Sequence, residues 1–278
     1  MHSPVITHFR FARTILLVAG LAAALAGNAA AAPAAARSSA HVVFLVSSPD
    51  DPNSYESART VPTFAGMLRD NHGYRTTVLQ ATMLESAQAT PPESASKFSN
   101  IKAVWEADLL VIFCRRLGLP PDQLTAIKNH LNAGKPVVGI KTANHGFAVR
   151  GTFVPGHFGW WEFVADVLGA ENRGYAPVPE GTTVKVVPAA RNHPILRGLP
   201  NAWQTKNNLY LNTLLDPNAT VLLTGEADGK IQPIAWARMA GRSRVFYTSL
   251  GHPVDWDDTR PLFRNLLLNG IRWALGGN

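Results

Sequence analysis

Residues 108–140 read DLLVIFCRRLGLPPDQLTAIKNHLNAGKPVVGI, and this stretch decides the fold. Asp108 to Phe113 (DLLVIF) is apolar without alternation, the mark of a strand buried on both faces. Pro120-Pro121-Asp122 opens a helix whose Leu124, Ile127 and Leu131 share one face, and Gly134 closes it. Pro136 to Ile140 (PVVGI) is the next buried strand. Strand, amphipathic helix and strand in this order specify parallel pairing beneath a covering helix.

The pattern extends outward. His41 to Ser48 (HVVFLVSS) predicts a first strand that runs into a Pro/Asp/Asn cluster. Arg59 to Asn71 predicts a helix with Val61, Phe64, Ala65 and Leu68 on one face and Pro62 near its start. Arg75 to Leu79 predicts the second strand, and Glu85 to Asn100, rich in Ser, Ala and Pro, a loop. In the second half, Thr182 to Val187, Thr220 to Thr224, Pro233 to Ala237 and Arg244 to Ser249 are strand-like, and Arg260 to Leu275 carries a helical apolar stripe. The expectation is one α/β domain over 33–278: a doubly wound, mostly parallel sheet with helices on both faces and extra antiparallel strands in the second half.

Composition narrows the class. Of the 278 residues, 46% are hydrophobic and 16% charged, too apolar for a disordered chain and too mixed for a multispan membrane protein. The single cysteine, Cys114, excludes an internal disulfide framework and a multi-cysteine zinc site, and burial as a small hydrophobe is its expected role. Arg10 and Arg13, the apolar run from Thr14 to Gly27 and the small residues from Asn28 to Ala36 read as a signal peptide over 1–32, cleaved after Ala32. That predicts a periplasmic or secreted protein with no stable membrane insertion after signal removal; an uncleaved anchor would need about 20 apolar residues. Without those two arginines, 24 basic residues stand against 19 acidic ones, a net charge of +5 with no basic cluster, so no nucleic-acid partner is expected.

In an open α/β sheet, ligands bind beyond the carboxyl ends of the parallel strands. That rule selects Asp50 and Asp51 after the first strand, Arg115 and Arg116 after the third, Lys141, Asn144 and His145 after the fourth, and His252 and Asp255 after the strand ending at Ser249. Histidine and carboxylate suit proton transfer near neutral pH, and arginine suits an anionic or hydroxyl-rich ligand. Ser249, His252 and Asp255, three residues apart and without a Gly-x-Ser-x-Gly turn, do not make a catalytic triad. No Gly-x-Gly-x-x-Gly or Gly-x-x-x-x-Gly-Lys occurs, so no nucleotide cofactor is expected. A divalent metal held by His with Asp or Glu is the alternative, although no His-x-His or His-x-x-x-His pair is present. Trp160, Trp161, Trp203, Tyr210, Trp236 and Trp256 fall near loops and strand ends, where an aromatic face suits a sugar, although core packing is the commoner use.

The C-terminal run PIAWARMAGRSRVFYTSLGHPVDWDD…FRNLLLNGIRWALG resembles the end of the ThuA-like (trehalose utilisation) family. NSYESARTVPTFA (53–65), RRLGLPPDQLTAIKNHLNAGKPVVGIKTANHGFA (115–148), RNHPILRGLP (191–200) and the following NLY extend the likeness over nearly the whole chain. The resemblance implies a flavodoxin-like fold related to class I glutamine amidotransferases. Those enzymes carry a nucleophilic cysteine in a sharp turn after a strand; the corresponding turn here, Gly139-Ile140-Lys141-Thr142-Ala143, has none, so amidotransferase chemistry is not expected. The amidotransferase His-Pro-Glu has an echo in His252-Pro253…Asp255. The family often carries a histidine after the helix at Trp161-Glu162-Phe163, where this chain reads Gly169-Ala170-Glu171-Asn172-Arg173-Gly174-Tyr175.

Two functions follow. In the first, His145, His252 and Asp255 are catalytic, with Asp50, Tyr55, Arg115, Arg116, Lys141 and Asn144 holding a carbohydrate, a keto-glycoside or disaccharide. In the second, the protein is a non-catalytic carbohydrate-binding or scaffold protein. A homo-oligomer is compatible with either.

Overall fold

The computed structural model describes residues 39–84, 95–149 and 154–277, so the expected signal peptide lies outside the described residues. The strands β1 (His41–Val46), β2 (Arg75–Met83), β4 (Leu109–Phe113), β5 (Val137–Ile140) and β12 (Ser243–Thr248) pair in parallel in the order β2-β1-β4-β5-β12. On the β12 side the sheet continues antiparallel through β11 (Lys230–Ala240), β10 (Thr220–Ala227), β7 (Thr182–Val186) and β8 (Ala202–Thr205). At the other edge β3 (Ser96–Phe98) pairs antiparallel with β2 and completes ten strands. The doubly wound sheet with antiparallel additions is the expected fold.

Strand β3 corrects one expectation, because it falls inside the stretch read as a loop. Three residues are too few for a period to show; the strand is held from outside, by the Gln123 side chain, which accepts from Phe98 N and donates to Phe98 O, both at 2.9 Å. A separate two-stranded ladder of β6 (Ala170–Ala176) and β9 (Leu209–Leu214) was not legible, since β6 is polar and broken by a register shift between Asn172 and Tyr175.

Alternate residues of β1 feed two cores. Val42, Phe44 and Val46 meet Val61, Phe64 and Leu68 of α1 (Ser57–His72) and Leu266, Leu267 and Ile271 of α5 (Leu262–Ala274). Val43 and Leu45 face the other way, towards α2 (Lys102–Glu106), α3 (Pro121–Asn132) and the π-helical turn Phe163–Leu168. Helix α1 starts two residues earlier than expected, so Pro62 lies inside it. Proline cannot donate to the carbonyl four residues back; Gln80 Nε2 donates to that carbonyl, Ala58 O, at 3.1 Å.

Helix α5 shows packing overruling propensity. Alanine is favoured over glycine in a helix by about 1 kcal/mol, yet a Cβ at Gly270 would lie 2.3 Å from Phe246 Cδ1, in a ring with no exposed surface. Overpacking of this kind costs about 1–3 kcal/mol. Gly270→Ala should therefore lower the melting temperature by a few degrees; a thermal scan showing an increase would mean that Phe246 can move aside.

Candidate functional site

The carboxyl ends of the parallel strands meet at a cleft of about 530 Å³, whose walls include Tyr55, Arg115, Arg116, His145, Asn172 and Tyr210. The loops beneath it are stitched together. Arg115 N donates to Ser47 Oγ at 2.9 Å, joining the loops after β4 and β1, and Arg116 N donates to His145 O at 3.0 Å, joining those after β4 and β5. Backbone strain collects here. Among the described residues, five other than glycine have left-handed φ; Asp228 belongs to the Asp228-Gly229 turn of the β10–β11 hairpin, while Tyr55 (54°), Glu56 (53°), Arg116 (52°) and Lys141 (43°) surround the cleft floor. Such conformations cost about 1–3 kcal/mol each and gather at functional sites.

Lys141 stands at the sharp turn after β5, where the amidotransferase-like scaffold would carry its nucleophile. Tyr247 Oη donates to Lys141 O at 2.8 Å and holds the turn, while Gly251, with φ 116°, lets the loop after β12 pass against Ile140. The Lys141 side chain is fully buried, its Nζ 4.4 Å from the ring centres of both Tyr55 and Tyr210 and 2.6 Å from Asn207 Oδ1. Burial pushes the amine down to about 7, against an upward pull from Asp255. The Tyr210 hydroxyl, 3.4 Å from that of Tyr55, is driven well above its usual range by burial, so it stays protonated as a donor.

His145 is oriented by a chain of amides that starts at a group with one possible role. Pro233 O can only accept, so Asn212 Nδ2 donates to it at 3.2 Å, leaving Asn212 Oδ1 to accept from Asn144 Nδ2 at 3.2 Å. Asn144 Oδ1 is thereby turned to His145 Nδ1 and makes it the protonated nitrogen, so that in the neutral ring Nε2 carries the lone pair. Asn172 Nδ2 stands beside this pair, 3.3 Å from Asn144 Oδ1 and 3.1 Å from His145 Nδ1, and it is the 2.5 Å approach of the accepting Asn144 Oδ1 that decides the tautomer. An imidazole held in one tautomer by an amide is the arrangement of a general base.

The other expected residues divide. Tyr55, Arg115 and Arg116 line the cleft with His145; Asn144 orients His145, and Lys141 lies under the two tyrosines. Asp50 is an exposed turn residue beside Ser48, and it is Asp51 that approaches Arg115, at 3.9 Å. His252 stands behind Tyr55, ring centres 5.5 Å apart, and its Nδ1 accepts from Val254 N to cap the short helix α4 (Pro253–Trp256). Asp255 is not bonded to that ring: its oxygens accept from Gly251 N, His252 N, Asn207 Nδ2 and Thr205 Oγ1. Cys114 is buried with Sγ donating to Leu45 O at 3.1 Å, and burial pushes its thiol up, away from the reactive thiolate. His193 accepts from Ile195 N and pins its own loop. Among the described residues, no three His, Cys, Asp or Glu side chains converge as a metal-holding group, and no helix is long and apolar enough to cross a membrane.

The cleft and its support include residues not foreseen as such, among them Asn172, Tyr175, Asn207 and Asn212. Two of them occupy the segment where the family's histidine is missing, and Asn207 precedes the family-like Asn208-Leu209-Tyr210, the only signal that pointed to them.

A family model described as trehalose utilisation (ThuA) matches residues 54–274. A putative ThuA-like protein from Bacteroides uniformis is 16% identical with a TM-score of 0.57, over 87% of this chain and 95% of that one. One from Parabacteroides merdae is 15% identical with a TM-score of 0.56, over 86% and 90%. A cytoplasmic protein of Salmonella typhimurium is 15% identical with a TM-score of 0.53, over 84% and 98%. No curated protein matches the chain.

Lys141 gives a pH-dependent prediction. Its folded amine, at about 7, binds a proton less tightly than in the unfolded chain, at about 10.4. The unfolded state therefore binds more protons between those values, and this group's destabilising effect is full below pH 7 and relieved as pH rises towards 10. Lys141→Met should raise the melting temperature more at pH 6 than at pH 9; an equal change at both would show that the buried charge is not what the variant removes.

Proposed function

The chain belongs to the ThuA, or trehalose utilisation, family, and from that premise we propose that the cleft binds a carbohydrate and that His145 acts on it as a general base through Nε2. The observation that carries the reading is the amide chain from Pro233 O to His145 Nδ1, which sets one tautomer at the wall of a cleft whose other walls suit a sugar. Tyr175, exposed and stacked on buried Tyr210 with ring centres 6.3 Å apart, presents its other face for sugar C–H groups, and Arg115 and Arg116 offer donors for hydroxyls. Tyr210, held protonated by burial, donates to Tyr55 and fixes that ring at the cleft wall beside the base. His252 and Asp255, engaged in capping and in holding their loop, support Tyr55 and Lys141 from behind.

The chemistry favoured is proton transfer on an oxidised sugar, a keto-glycoside, or on a disaccharide. Hydrolysis by two carboxylates requires a pair flanking the bond, and among the described residues no Asp or Glu lines this cleft. Amide hydrolysis through cysteine is disfavoured by the buried Cys114 and by the lysine at the nucleophile position. Export by residues 1–32 would place the activity in the periplasm or the medium, which the mass of the mature N-terminus would reveal.

The test is mass spectrometry of products, with thermal stabilisation alongside, using glucosides, disaccharides and their 3-keto forms. New product masses are expected, with His145→Ala slowing turnover by roughly 10²–10⁴-fold, the usual contribution of a general base. Asn144→Ala should slow it less and shift the pH profile, because the ring loses its fixed tautomer. Unchanged turnover in His145→Ala removes the base assignment, and stabilisation without product in the wild type supports a carbohydrate-binding protein instead.

A further inference from the structure

A second lobe of about 400 Å³ adjoins the cleft across His145 and shares His145, Arg116 and Asn172 with it. Its remaining wall is of a different character. Ala148, Val164, Ala165 and Ala170 line it, and Trp161 and Leu215 face it with 51% and 50% of their surfaces exposed. Large apolar side chains left half-open beside a polar cleft mark a place where an apolar group is received. Val164 and Ala165 belong to the π-helical turn Phe163–Leu168, whose carbonyls Asp166 O, Val167 O and Leu168 O accept from Arg238 and Trp236, so this wall is fixed from behind.

We infer that the second lobe seats an apolar aglycone, a ring such as phenyl or cyclohexyl joined to the sugar held in the polar lobe, with the joining bond beside His145. The inference rests on the carbohydrate reading of the polar lobe and adds the class of its substrate: an aryl or alicyclic glycoside in preference to a disaccharide. The decision is one of unmet hydrogen bonds. A second sugar ring would bring several hydroxyls against alanine, valine and leucine. Of the polar groups here, Asn144 is engaged with Asn212 and His145, and Asn172 with Asn144 and Gly174 N; Glu171, paired with Arg173 at 3.0 Å, is half-exposed, and Arg116 belongs to the side shared with the polar lobe, so the alanine, valine and leucine wall itself offers a hydroxyl no side-chain partner. A hydroxyl pressed against that wall gives up its hydrogen bond to water with nothing in return. An apolar ring carries no such cost and gains about 25 cal/mol for each Å² it removes from water.

Titration calorimetry with the full chain tests this, using methyl, phenyl and cyclohexyl glucosides and glucose disaccharides, each in native and 3-keto form. The phenyl and cyclohexyl glucosides are expected to bind about tenfold or more tighter than the methyl glucoside, the effect of roughly 1.4 kcal/mol of added burial. Trp161→Ala, and independently Leu215→Ser, should shrink that ratio to about threefold or less; both side chains are half-exposed, so either substitution leaves the core intact. Equal affinity for phenyl and methyl glucosides, a preference for disaccharides, or a ratio unchanged in both variants overturns the aglycone lobe while leaving the carbohydrate reading in place. Absence of binding by every glycoside overturns both.

Discussion

The cleft depends on one constraint: a lysine amine with no exposed surface, at a turn whose φ is left-handed, beneath two tyrosine rings. A buried charge is expensive unless polar groups surround it. Here Asn207 Oδ1 meets the amine directly and the two ring faces supply a weaker electrostatic cradle. Asn207 is fixed in turn by donating to Ser249 O and to Asp255, whose carboxylate also gathers the backbone after β12. Removing Asp255 would thus release the loop, the asparagine and the lysine together.

How much was legible follows from where the information lies. The parallel strands announced themselves because burial on both faces demands unbroken apolar runs, as in Asp108 to Phe113 and His41 to Val46. His145, Arg115 and Arg116 were legible because the strand-end rule needs only the strands. Asn172 and Asn212 were not, since each sits on a strand of the small β6–β9 ladder and reaches His145 through contacts 27 to 68 residues away in sequence. Nothing local distinguishes an asparagine that orients a histidine from one that faces water. His252 and Asp255 carry two readings in one motif: a His-Pro-x-Asp order looks like acid–base chemistry, and it is also a capping box with proline at the first helical position.

The turn after β5 sets the direction of the segment that follows it. Its backbone is strained at Lys141, whose side chain points under the tyrosines instead of into the cleft. What the turn provides is direction: it launches the short 3-10 segment Lys141–His145, which puts His145 on the cleft wall and Asn144 within reach of Asn212. Strain of about 1–3 kcal/mol at one residue is small beside two cores on either face of the sheet, where each fully buried leucine or isoleucine contributes roughly 1.5–3 kcal/mol. A fold with that reserve can carry a costly turn, and the position the turn creates is the one His145 occupies at the cleft wall.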